Sequence, residues 1–469
     1  MKNSRLLDVL ATLTQTEVRA FGQFLASPYF NQREVLLQFW AYLSEQYFQL
    51  NIIPDKATVF QKLYPNQPYD AQQVRLVMSL LLKQLEKFFA CQALLQNEGA
   101  MKILQARAYR KRGLAKPFQY IQRALEKFQE KNQLRDAAYL EQQYQIQFER
   151  YQMTSSQKRI EVQNLQEVSD SLDRAFIALK LRNTCLAIAH QTVYNVQYEV
   201  GLLEDMLHYV REQDLLALPA IGLYYHCYYA LTQPEQEKHF MAFKQMMIKH
   251  GHQFPDEEIR DLFLLALNYC IKRLNEGHKH YAWEGLELYK EGLQKGILIT
   301  NGMISRFSYR NIVAMGLVTE NYAWVDTFIA EYKKYLPKAH QESMYSFSRA
   351  RLEYHRKNHD NALQLLQKSE YKDLLLNLAA KTIQLKIYYE LEAFDLLYAH
   401  LKAMERFIRR KKVMGYHRTN YYNLIRFTEK LLKLNPYDKD ARFALKREIE
   451  QSEVLTERAW LLRCLVMDG

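Results

Sequence analysis

Ala350 and Ala362 lie twelve residues apart, and Leu385 and Leu397 repeat that spacing 35 residues further on. Tyr354 and Tyr389 keep the same offset, as do Asp360 and Asp395, which read as turn residues. A compact residue late in one helix and another early in the next, joined by a short turn, describes a helical hairpin. Two such hairpins with one period make Ser346 to Arg410 a pair of consecutive helix–turn–helix units. Such a unit cannot bury its apolar face alone, so neighbouring units must share a core.

The same spacing appears upstream. Val313 and Val325 are twelve apart, Ile329 follows four later and Pro337 eight after that. Only 14 Gly and 10 Pro punctuate 469 residues, too few for a turn-rich β protein. Long segments rich in Leu, Gln, Glu, Lys and Ala suit helices. The expected class is therefore all-α, with an N-terminal helical head at 1–97 and degenerate hairpins at 98–300. Clearer repeats follow at 301–434, and a capping helix closes the chain at 435–469.

Local signals place the elements. Thr14 and Glu17 fit a capping box, with Val18, Phe21, Phe24 and Leu25 on one face behind it. Pro28 stops that helix. Asn31 is the expected N-cap of the next, which carries Val35, Leu36, Phe39, Trp40 and Leu43. Asp70 is placed to cap a long helix through Phe88. Breaks are expected near Gly113, Asn132 and Ser155-Ser156, with Thr154 to Gln157 as a loop. Leu215 to Leu231 reads as one buried helix, too short for a bilayer. Asp256 is expected to cap the helix through Tyr269. The last helices are expected over Tyr421 to Leu434 and Asp438 to Leu465.

The units at 305–434 resemble divergent tetratricopeptide repeats, with Val313, Ala350 and Leu385 at the small position of the first helix. That resemblance implies an α-α superhelix. The whole chain also resembles a family of uncharacterised bacterial helical-repeat proteins, through Ser27-Pro-Tyr-Phe-Asn31, Ser305-Arg-Phe-Ser-Tyr-Arg-Asn311 and Asn321-Tyr-Ala-Trp324. This second likeness implies no activity.

In tetratricopeptide units the concave surface takes residues one and four after the small position, and three before it. Here those positions give Arg310, Phe347, Arg351, Tyr354, Lys386 and Tyr389. Arginine, lysine and tyrosine along one groove suit an acidic peptide or a carboxylate. Charge reversal at Arg351 and Lys386 is expected to weaken binding without unfolding the chain.

Net charge is +12, with the cation excess in residues 101–200 and 401–469 and an acidic stretch between. The densest basic cluster is Arg406, Arg409, Arg410, Lys411, Lys412 and Arg418. Cations at a helix C-terminus complement its dipole. The functional alternative is phosphate contact with nucleic acid. His355 and His359 have the i, i+4 spacing of metal ligands, but the zincin glutamate is missing. No phosphate loop, nucleophile elbow or Cys-His pattern occurs. The five scattered cysteines suit reduced thiols in a cytoplasm. The sequence thus points to a cytoplasmic, non-catalytic scaffold for a protein or acidic peptide. It indicates no cofactor, metal, membrane or small-molecule substrate, and the alternative is a nucleic-acid-binding regulator.

Overall fold

The computed structural model describes residues 1, 3–157, 162–194, 196–367, 371, 373–410, 415–435 and 437–467. Among them the chain is α-helical apart from short helical turns and one ribbon, β1 (Ile299–Thr300) paired with β2 (Met303–Ile304). It divides into two compact units, Met1–Arg182 with Glu204–Ile221, and Asn183–Leu203 with Gly222–Gly469. No helix of the described residues is long and apolar enough to cross a membrane.

The first part of the chain forms α1 (Arg5–Leu10), α2 (Gln15–Ala26), α3 (Glu34–Leu43), α4 (Lys56–Leu63) and α5 (Ala71–Gln96). Thr14 and Glu17 complete the capping box that opens α2. Asp70 accepts from the amides of Gln72 and Gln73 to open α5. Asn31 does not cap α3. Its side chain is buried and holds the α2–α3 connection instead, donating to the Leu25 and Arg33 carbonyls and accepting from the Arg33 amide. The core of these helices is centred on Phe21, whose ring meets Trp40 edge-on at 4.7 Å and Phe88 at 5.4 Å.

α6 (Glu98–Lys111), α7 (Ala115–Lys131) and α8 (Ala137–Gln157) follow, with Gly113 in the left-handed conformation at the first turn. α8 runs through Thr154 to Gln157, where the sequence suggested a loop. The hydroxyls of Thr154 and Ser155 bond back to the carbonyls of Arg150 and Gln152, which satisfies them within the helix. α9 (Leu165–Tyr194) and α10 (Leu203–Glu212) come next. The run Leu215 to Leu231 is not one helix. A short turn at Leu215–Ala217 precedes α11 (Pro219–Thr232), which Pro219 opens at the position where its missing amide costs nothing.

Then come α12 (Glu237–His250), α13 (Asp256–Asn275) and α14 (Tyr281–Gln294). Asp256 is the first residue of α13 and makes no side-chain cap. With Glu257 and Glu258 it sets negative charge at the helix start. Three hairpins follow, α15 (Arg306–Val318) with α16 (Tyr322–Tyr332), α17 (Gln341–His355) with α18 (His359–Gln367), and α19 (Leu374–Glu390) with α20 (Phe394–Arg410). They share one turn. Glu320, Lys357 and Glu392 each adopt positive φ, and the next amides, of Asn321, Asn358 and Ala393, reach back to the carbonyls of Gly316, Glu353 and Tyr388. This closes each first helix as glycine usually does, by pairing carbonyls left without an intrahelical donor. Asp360 and Asp395 sit just past these turns, in the first turns of α18 and α20.

The residues that set the spacing are buried in all three hairpins: Val313 and Val325, Ala350 and Ala362, Leu385 and Leu397. In the first, Gly316 lets α15 approach α16 so closely that an added methyl would overlap Val325. The chain ends with α21 (Gly415–Lys433), α22 (Lys439–Gln451) and α23 (Arg458–Met467). The expected single helix from Asp438 to Leu465 is thus two helices. Residues 452–457 turn between them, and Trp460, Leu461, Cys464 and Leu465 anchor α23 in a core shared with α19, α20 and α21.

Candidate functional site

Within the second unit, several of the residues read from the repeat register lie near two carboxylates, Glu457 and Glu390. Lys386 of α19 is almost fully buried and donates to Glu457 at 2.9 Å. Its ammonium also lies 4.7 Å from the centre of the Tyr354 ring, a cation–π contact. Arg351 of α17 is half-buried, and burial pushes its guanidinium down to about 10. Glu457 opposes that shift, and Arg310 of α15 adds to it as a like charge. The hydroxyl of Tyr421 on α21 is pushed up to about 12, chiefly by burial, with Glu457 adding and Arg310 opposing. Glu457, from the turn before α23, thus pairs directly with Lys386 and lies within electrostatic reach of Arg351 and Tyr421, which Arg310 also neighbours.

Phe347 differs from expectation. It is buried at 3 % exposure beneath Arg351, whose guanidinium lies 5.9 Å from the ring centre, so it is not an open contact. Tyr354 is also buried. Its hydroxyl donates to Glu390, and burial followed by that bond holds the phenol well above its ordinary range. Tyr389 stays half-buried, 5.3 Å edge-on from Trp460 of α23.

Glu390 is the second carboxylate of this face. It accepts from Tyr354 and from the Trp460 indole at 3.0 Å, with Lys357 at 3.4 Å and His359 at 3.7 Å. Burial disfavours its charge, but the two hydrogen bonds, followed by the nearby Lys357 and His359, outweigh this and hold it below the ordinary range. Beside it opens a cleft of about 1170 Å³ whose lining includes Lys357, Tyr389, Tyr398, Trp460 and Arg463. His355 and His359 bring no metal set together; no group of three or more potential metal ligands occurs among the described residues.

The basic cluster forms a separate feature. Arg406, Arg409 and Arg410, at the end of α20, join Lys381 of α19 around Phe407 in a depression of about 530 Å³. The Lys381 ammonium lies 5.5 Å from the Phe407 ring centre. Arg418 stands over Tyr422 on α21. Lys411 and Lys412 lie outside the described residues.

Sequence reasoning missed Glu457, Trp460, Glu390 and Lys381. The first two were hidden by the expected continuous terminal helix. Glu390 was one repeat-register step from a signal, but only tertiary packing makes it a neighbour of Trp460. No family model, curated protein or solved structure matches the chain.

Proposed function

We propose that the chain is a non-catalytic scaffold whose TPR-like superhelix binds an acidic segment of a partner protein along its inner face. The observation that carries this reading is the ion pair of Lys386 with Glu457, with Arg351 within reach of that carboxylate and Arg310 beside Arg351. A face that already holds one carboxylate between cations and tyrosines has the chemistry to hold another. Charge-assisted hydrogen bonds from arginine and lysine are about twice as strong as neutral ones, and the flanking tyrosines supply apolar area. The reading places the chain in the cytoplasm, which cysteines outside any disulfide and mostly buried suit.

The test compares wild type with Arg310→Gln/Arg351→Gln as tagged baits in lysate of the source cells, with and without nuclease. The reading expects a protein that survives nuclease on the wild-type bait and is depleted on the variant. Equal recovery on both baits would contradict it.

A second reading has its own support. Lys381, Arg406, Arg409 and Arg410 surround an aromatic ring, as in surfaces that hold phosphates and stack bases. On that reading nucleic acid binds at the end of α20, affinity falls steeply with salt, and Arg409→Gln/Arg410→Gln abolishes it.

A further inference from the structure

The turn that delivers Glu457 is built unlike the helices on either side. Glu457 holds φ at +56°, a conformation that residues with a Cβ avoid unless their surroundings enforce it. The turn is only half-buried. The Asn423 side chain donates to the Val454 carbonyl at 2.8 Å, and Arg458 donates to the Ser452 carbonyl. α23 behind it is fixed by Trp460 and Leu461, which are 2 % and 0 % exposed. The Glu457 carbonyl accepts from the Trp460 and Leu461 amides at 3.0 Å, so the main chain is tied to α23 and it is the partly exposed side chain that can swing from the cations while α23 stays docked. The charges about it are also unequal. Lys386 makes the ion pair that Glu457 has among the described residues, Arg351 lies within electrostatic reach of the same carboxylate, and Arg310 lies within reach of Arg351.

We propose that Glu457 is a built-in competitor: it occupies the cation cluster of the inner face until the acidic segment of a partner protein replaces it. This rests on the groove reading above and adds its regulation. The partner must present a carboxylate able to reach Lys386 and Arg351 together. Its apparent affinity is lowered by the fraction of molecules in which Glu457 has swung away. Where that fraction is about one tenth or less, removing the competitor raises affinity by about tenfold or more.

The experiment is a fluorescence-anisotropy titration of a fluorescein-labelled oligoglutamate peptide with the full chain. All proteins carry Arg409→Gln/Arg410→Gln, so that the basic end of α20 does not hold the probe. Glu457→Gln keeps an acceptor for Lys386 and removes the charge. Glu457→Asn, which tolerates positive φ, draws the side chain back and serves as the second variant should the first fold poorly. Each is compared with its parent by circular dichroism. The expected result is about tenfold or more tighter binding for both, reversed by adding Arg351→Gln. If Arg351→Gln weakens the probe but neither Glu457 variant strengthens it, Glu457 is a structural contact only and this inference falls while the groove reading stands. If Arg351→Gln leaves binding unchanged in every background, the groove reading falls and takes this inference with it.

Discussion

Lys386 donates to Glu457 across 71 residues of chain, joining the third hairpin to the turn before the last helix. The lysine side chain is 11 % exposed and the glutamate 34 %. The pair is therefore neither a fully screened surface bridge nor a dry interior one. Removing the charge is tolerable where a hydrogen bond remains, whereas a second carboxylate is not. Lys386→Gln should cost less than about 1 kcal/mol. Lys386→Glu should cost more than about 2 kcal/mol, because two carboxylates would then share the site. Denaturant melts read the difference. On this account charge reversal at Lys386 disturbs folding as well as binding, and neutral variants are the proper probes of binding.

Gly316 and Val325 give a packing prediction. Gly316→Ala forces a methyl into Val325 across the α15–α16 hairpin and should destabilise by about 1–3 kcal/mol. Val325→Ala makes the room, so the double variant should be more stable than the sum of the two single losses. A double-mutant cycle measures this coupling, and simple additivity would contradict the contact.

The imidazoles of His226 and His239 meet at 3.1 Å through their Nδ1 atoms. Burial, then the neighbouring His239, lowers His226 to about 4. The unfolded chain takes up this proton near pH 6.5 and the folded chain only near 4. The contribution to stability is therefore complete above 6.5 and is lost as pH falls from 6.5 toward 4. Discounted for partial exposure, the loss should be about 1–2 kcal/mol. His226→Phe should flatten the stability profile across that window.

Glu149 of α8 is buried and receives both Arg107 and Arg110 of α6 at 2.6 Å. Glu149→Ala strands two guanidinium groups that are themselves partly open to water. The expected cost is about 2–3 kcal/mol, below that of a dry ion pair, read as a lower unfolding midpoint. No change would mean that water replaces the carboxylate fully.

What was legible in the sequence was local. The twelve-residue spacing of Ala350 and Ala362 marks positions where two helix backbones approach, so composition alone exposes it. Thr14 and Asp70 announce helix starts because their short oxygens reach the first amides. Other breaks carry no such residue. Glu320, Lys357 and Glu392 hold left-handed turns without glycine, and only the periodic spacing betrays them. Glu457 has no period to betray it, since helix formers flank the turn on both sides and Lys386, far away in sequence, meets its carboxylate. Thr154 and Ser155 erred the other way, because hydroxyls that suit a loop can also bond back within a helix. The register aligned Phe347 and Tyr354 with Arg351 and Lys386, but it did not show that both aromatic side chains are buried.

The most direct test of the account is the affinity of labelled oligoglutamate for the wild-type chain and for Arg310→Gln/Arg351→Gln, titrated at one fixed salt concentration. Two lost charge-assisted contacts should weaken binding by about tenfold or more while the melting midpoint stays within a few degrees. Unchanged affinity in that variant, with loss on Arg409→Gln/Arg410→Gln instead, would contradict the inner face as the binding surface and move it to the end of α20.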